Sequence, residues 1–362
     1  LVLAAGKGTR MKSKLPKVLH KAGGVPMVGQ VLRAVKDAGT KREIVVVGFG
    51  AEAVTAYVGE TAETVVQKEQ LGTGHAVLQA ESLLQGEKGI LLVTCGDTPL
   101  VRTETFRALL DCHKKTQASA TVLTACMPDP TGYGRVIRSA DGKVSKIVEQ
   151  KDGTSQELAV NEVNAGIYCF ELPELWELLH RIGNNNAQGE YYLTDIIGML
   201  VADGKTVSAV AAEDYRETLG VNSRLQLAQA EKILRERKLE ELMTEGVTVQ
   251  DPSNTYVETT VTVGRDTVLY AGTVLEGRTV IGENCEIGPF VRLTDVVMGD
   301  GNSLQYTYAH DCTIENNLTA GPFVHFRPKT HIEDHVKVGN FMEVKNSHIG
   351  EGTKLPHLSY IG

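Results

Sequence analysis

A chain of 362 residues is too long for one ordinary hydrophobic core, so two domains are expected. With 45 acidic against 37 basic residues its net charge is −8, which argues against a general nucleic-acid or membrane-surface binder and leaves small molecules as the expected partners. Cys95, Cys112, Cys126, Cys169, Cys285 and Cys312 form no C-x-x-C pair and no apolar run approaches the roughly 20 residues of a membrane helix, so a reduced cytoplasmic setting without membrane insertion is expected.

From Leu1 to about Asn222, the apolar runs Leu1 to Ala5, Ile44 to Val47, Thr64 to Val66, Ile90 to Thr94, Ala120 to Ala125 and Ala165 to Phe170 alternate with helical patterns. This alternation predicts a Rossmann-like, doubly wound α/β sheet with ligands at the carboxyl ends of its strands. The first run leads directly into Leu3-Ala4-Ala5-Gly6-Lys7-Gly8-Thr9-Arg10-Met11, and Lys7, Arg10, Lys12, Lys14 and Lys17 supply five cations within 17 residues. Two glycines that let backbone N–H groups approach a phosphate, beside this charge, suit a polyphosphate. A Walker A loop has a different spacing, and a dinucleotide fingerprint needs a third glycine where Met11 stands. Asp97 follows the run Ile90 to Thr94 and precedes Pro99, which predicts a carboxylate at the binding edge of the sheet. A hard oxygen there suits Mg2+ held with nucleotide phosphates, although an Asp at that place also serves as an ordinary turn former. Residues 223–246 read as a connecting helical arm ended by Gly246, and Asn222, taken alone, reads first as its N-cap.

Beyond that arm the chain repeats every six residues. The repeats open on Val263, Leu269, Leu275, Ile281, Ile287 and Leu293, then Met298 and Leu304, then Ile314, Ala320, Phe326, Ile332, Val338 and Val344, then Ile349, Leu355 and Ile361. A short fixed period whose units cannot bury an apolar face alone predicts a parallel β-helix with three hexads per coil. The phase slips near Met298, Ile314 and Ile349 read as loops or corners bulging from the prism. Arg327 and Lys345 each follow an opener one coil apart, which stacks them about 4.8 Å from each other. Two such charges repel by roughly 1 kcal/mol in water and about 3 to 4 kcal/mol near a protein surface, a penalty that a bound anion removes and that splaying into solvent reduces. Six of the ten histidines lie in this region, but their hexad positions differ and no acidic partners stand in step, so no metal cluster is expected.

The first loop resembles that of the sugar-nucleotide pyrophosphorylases, with L-A-A-G-x-G-T-R-M and a downstream P-K. The likeness extends over essentially the whole chain to the bifunctional bacterial uridyltransferase/acetyltransferase family. It rests on Leu15-Pro16-Lys17-Val18-Leu19-His20, on Gln67 with Gln70-Leu71-Gly72-Thr73-Gly74-His75-Ala76, on Gly96-Asp97, on Gly132-Tyr133-Gly134-Arg135, on residues 184–192, and on Gly220-Val221-Asn222. The resemblance implies a uridylyltransferase domain over 1–222, the arm over 223–246, and a left-handed β-helix acetyltransferase domain over 247–362, C-terminally incomplete. It implies Mg2+ on Asp97 and Asn222, with Arg10 and Lys17 as the catalytic cations. Leu3, Ala4, Ala5, Gly6, Gln67, Gly72 and Thr73 would hold the nucleotide, and Gly134, Glu149 and Asn164 the sugar. Arg327, Lys345 and Tyr360 would bind the acceptor sugar phosphate, with His357 as the acetyl-transfer base. The implied reactions are acetyl transfer from acetyl-CoA to glucosamine-1-phosphate, then uridylyl transfer from UTP to N-acetylglucosamine-1-phosphate, supplying cell-wall peptidoglycan and lipopolysaccharide precursors from a homotrimer. Two other readings remain at this point: a different pyrophosphorylase whose β-helix only regulates or assembles it, and a nucleotide-binding scaffold without catalysis. The chain starts inside a strand and stops at a hexad opener, so residues are expected to be missing at both ends, with acetyl-CoA contacts among them.

Overall fold

Strands buried on both faces read as near-continuous apolar runs rather than as alternation, and that is what organises the first half of the molecule. Ile44–Val47 is buried throughout, and Ala120–Cys126 is buried except at its last residue. The computed structural model describes residues 1–362, which divide into two compact units, 1–21 with 26–230 and 22–25 with 231–362. In the first unit the main sheet runs in the order Val207–Ala211, Ala120–Cys126, Glu162–Leu172, Gly89–Cys95, Val2–Ala4, Ile44–Val47, Glu63–Val66. The sheet is mixed: Glu162–Leu172 is antiparallel to both neighbours, and the other pairings along this path are parallel. Helix–strand alternation did not disclose that reversed strand, nor the antiparallel pair Arg135–Arg138 and Val144–Val148, because a strand's direction depends on how its connections return rather than on its own residues.

The strand order reverses beside Val2–Ala4, whose neighbours are Ile44–Val47 on one side and Gly89–Cys95 on the other. A crevice opens outside the carboxyl ends of strands at such a switch point. The glycine-rich loop leaves one of those ends and Asp97 the other.

In the second unit, hexads become faces. Three parallel sheets of 7, 7 and 6 two- to four-residue strands wind a left-handed β-helix. The openers form one continuous interior in which Leu269, Leu275, Ile287, Leu293, Phe326, Ile332 and Val344 are all at 0 % exposure. Period-2 alternation turns a second residue of each hexad inward, and where it is Thr its hydroxyl is satisfied by a backbone carbonyl, as Thr267 donates to Gly282 at 2.9 Å and Thr273 to Ile287 at 3.0 Å. The phase slips are not bulging loops. Ile281 pairs with Met298 and Met298 with Ile314, so the coil there is shortened by one or two residues while the ladder stays in register. Corners are tightened by left-handed residues such as Asp295 and Asp311. The arm is the helix Arg224–Thr244, stopped by Gly246 at φ 100°, where Val247 N–H reaches back to Leu242 at 2.9 Å. No helix is long and apolar enough to cross a membrane.

Candidate functional site

A cavity of about 250 Å³ sits at the switch point, and its wall includes Leu3, Ala4, Ala5, Gly6, Lys17, Gln67, Gly72, Thr73 and Asp97. The loop geometry explains the first five. Gly8 lies at φ 59°, and a Cβ there would stand 2.7 Å from the Lys17 Cβ, so only glycine lets the lysine stem fold back across the loop. The Lys17 ammonium then donates to Asp97 Oδ2 in a very short contact and to Asn222 Oδ1 at 2.8 Å. Asn222 arrives from far along the chain because the Val221 N–H donates to the Asp97 carbonyl at 2.8 Å. It is not the helix cap: Ser223 Oγ accepts the Gln226 N–H at 3.2 Å, which leaves the Asn222 side chain to the lysine. Arg10 lies exposed on the 3-10 turn Thr9–Met11 and is not part of the cavity wall.

A second group forms beside the reversed strand. A bulge between Asn164 and Tyr168 lets Asn164 Oδ1 accept the Gly166 N–H at 3.0 Å while its Nδ2 donates to the Tyr168 hydroxyl at 2.7 Å, fixing both ends of the amide. Asn164 N–H donates to the Gly134 carbonyl at 2.9 Å, and a Cβ on Gly134 would stand 3.5 Å from either Glu149 carboxylate oxygen. Burial first, then Asp152, Asp195 and Glu190, hold the Glu149 carboxyl above the usual carboxylate range, against the Thr194 hydroxyl that donates to it at 3.1 Å. Gly134, Glu149, Asn164 and Asn222 do not line the cavity itself. Cys95 and Glu190 do, and neither was assigned a role from sequence. Cys95 could have been found by the argument that found Asp97, since it ends the same strand; burial, then the Asp97 charge, push its thiol up to about 12.

On the β-helix, one face carries the other candidates. Arg292, Tyr308, His325, Glu343 and Tyr360 succeed one another in register, each just before an inward-facing residue, and Arg327 and Lys345 each follow one. Arg327 is not waiting for a counter-ion: its Nη1 donates to Glu343 Oε1 at 2.8 Å. His357 lies in the exposed turn leading into the strand Ser359–Ile361, and its ring takes no hydrogen bond from the chain. The histidines are also more ordered than their sequence positions suggested. His331 and His348 stack with ring centroids 4.8 Å apart, and each meets a carboxylate, Glu315 at 2.8 Å and Glu333 at 2.6 Å. The expectation that hexad positions differ and acidic partners are out of step fails for this pair, since each histidine directly precedes an opener, Ile332 or Ile349.

An α/β sheet with a cation-lined switch-point crevice, joined to a hexapeptide-repeat prism, defines a nucleotidyltransferase fused to a second transferase. Residues 1–232 match the nucleotidyl transferase family and residues 260–295 the bacterial transferase hexapeptide repeats. Over all 362 residues the chain is 53% identical to the "Bifunctional protein GlmU" of Geobacillus sp. (strain WCH70) and 52% identical to that of Geobacillus thermodenitrificans (strain NG80-2), covering 79% of each. Identity to the protein of the same name from Enterococcus faecalis (strain ATCC 700802 / V583) is 47%, again over the whole chain and 79% of the relative. The chain belongs to the bifunctional uridyltransferase/acetyltransferase family, whose two activities serve UDP-N-acetylglucosamine synthesis.

Proposed function

We propose that residues 1–222 carry uridylyl transfer, that 223–246 is a connecting arm, and that 247–362 bear the acetyl-transfer acceptor site. The observation that carries the first assignment is the Lys17 ammonium held between Asp97 and Asn222. One carboxylate and one amide oxygen around a single positive charge make a donor set that fits Mg2+, which takes few protein oxygens and keeps waters and substrate phosphates as its remaining ligands. When bound there, the ion supplies charge neutralisation at the nucleotide phosphates.

The reaction is in-line attack of the N-acetylglucosamine-1-phosphate oxygen on the α-phosphorus of UTP, forming one P–O bond and breaking the bond to pyrophosphate. Such transfer needs positioning and countercharge rather than a nucleophilic side chain. Lys17 meets the phosphates at the reacting centre and Arg10 the leaving pyrophosphate. Leu3, Ala4, Ala5, Gly6, Gln67, Gly72 and Thr73 hold the nucleotide. Gly134, Glu149 and Asn164 orient the sugar, Glu149 by accepting a hydroxyl and Asn164 through its amide.

On the prism, Arg327 and Lys345 bind the phosphate of glucosamine-1-phosphate, with Tyr360 beside them. His357 takes the proton lost as the amine attacks the acetyl-CoA thioester carbonyl, and CoA leaves as its thiol. An unpartnered, exposed imidazole on the turn leading to Tyr360 supports that role. A cytoplasmic homotrimer completes this reading. Product analysis with UTP and N-acetylglucosamine-1-phosphate tests it: UDP-N-acetylglucosamine and pyrophosphate in equal amounts are expected, and no nucleotide-sugar product refutes it.

A further inference from the structure

Gln67 follows the strand Glu63–Val66, is 3 % exposed, and lines the switch-point cavity. Its side-chain Nε2 faces two acceptors at once, the Gly72 carbonyl at 3.2 Å and His75 Nδ1 at 3.0 Å. A primary amide has two N–H donors and one carbonyl oxygen, so both donors are spent on the protein and Oε1, which takes no hydrogen bond from it, is what the ligand meets. Gly72 sits at φ 115°, and a Cβ there would stand 2.6 Å from the Tyr191 carbonyl oxygen, so the position that presents this carbonyl takes only glycine. The His75 backbone carbonyl accepts from Gln79 Nε2 at 2.9 Å, and the tautomer whose Nδ1 accepts from Gln67 carries its proton on Nε2.

We propose that His75 is a specificity-determining positioning residue that fixes the hydrogen-bond polarity Gln67 offers to the base, making the site an acceptor for a ring N–H. Uracil presents such a donor at N3. Cytosine presents a lone pair there, which would meet the Gln67 oxygen with nothing to share. Without an acceptor at the His75 position the amide loses one of the two contacts that hold its orientation, and it can turn its N–H groups toward the cavity to meet cytosine. His75 itself need not touch the nucleotide. This inference rests on the reading that the first unit transfers a uridylyl group and that Gln67 faces the base.

The test compares kcat/KM for UTP and for CTP, with N-acetylglucosamine-1-phosphate as acceptor, in the parent enzyme, His75→Leu, His75→Ala and His75→Asn. The leucine and alanine variants should lower the UTP/CTP preference by roughly 10- to 100-fold, as expected when a polar discriminator loses its orientation. The KM for the sugar phosphate should stay within about twofold, because no contact to Glu149 or Asn164 is altered. His75→Asn, which returns an acceptor oxygen near the Nδ1 position, should recover most of the preference. Alanine guards against a leucine variant that fails to fold, and thermal unfolding checks each. An unchanged UTP/CTP ratio in a folded leucine or alanine variant overturns the proposal, as does an equal loss on both nucleotides, which would mean packing alone. A parent enzyme that transfers no uridylyl group at all would instead sink the reading of the site beneath it.

Discussion

The two candidate sites use the same kinds of residue in opposite surroundings. At the switch point Lys17 and Asp97 have side chains 13% and 17% exposed, and the chain itself joins Asp97 to Asn222 through Val221. On the prism Arg327 and Glu343 are 37% and 40% exposed, Tyr360 is 61% exposed, and His357 ends no network. Charges in a shielded crevice act through a low effective dielectric and hold their geometry before substrate arrives, whereas an exposed pair is screened and contributes little by itself. The first site is therefore built by the fold of one unit, while the second offers a face whose ligands must supply much of the order.

The largest expected effect falls on the shielded site. Asp97→Ala removes the only carboxylate against the Lys17 ammonium, and kcat for uridylyl transfer should drop on the order of 10² to 10³, the scale of losing one preorganised electrostatic element. Activity within twofold of the parent, in a steady-state pyrophosphate-release assay, would remove Asp97 from the site. The exposed site comes next: in the full-length enzyme His357→Ala should slow acetyl transfer by roughly 10², the value of a general base, with uridylyl transfer unchanged. A thiol-release assay on glucosamine-1-phosphate and acetyl-CoA reads this directly, and undiminished rates would exclude His357 as the base.

What could be read without coordinates follows the same division. Asp97 was legible because it closely follows the end of an apolar run, and Lys17 because it is one of five cations in the loop that follows the first strand. The Lys17–Asn222 contact spans most of the first unit, and from its own residues Asn222 read first as a helix cap, with only the family resemblance pointing to Asp97; its place there appears once the Val221 N–H is paired. The hexads disclosed the prism and its inward residues; the His331–His348 alignment was also within their reach, since each histidine precedes an opener, but the carboxylates Glu315 and Glu333 beside them appear only in the paired register. Glu343 went unrecognised as the Arg327 counter-ion for a related reason: its partner sits on the next coil, one column across the face. Glu190 and the His75–Gln67 clamp depend on side-chain packing that no spacing encodes.

The smallest expected effect sharpens the contrast through pH. Burial raises the folded-state pKa of Glu149 above its unfolded value, so the folded protein binds that proton more tightly. Stability from this group is therefore complete below the unfolded pKa and is lost as pH rises through the folded one. Glu149→Gln should raise the first unit's melting temperature by about 2 °C near pH 8, on the scale expected for a domain of this size, with the gain vanishing near about pH 4. Calorimetry showing the same gain at both values would mean that packing, not charge, sets the difference.

The claim that one chain carries two separately built sites is tested most directly by a crossed assay. Uridylyl transfer and acetyl transfer would be measured on the same preparations of the full-length parent, Asp97→Ala and His357→Ala. The structure predicts that each variant loses one activity by about 10² or more and keeps the other within about twofold. A proportional loss of both activities in either folded variant would contradict it.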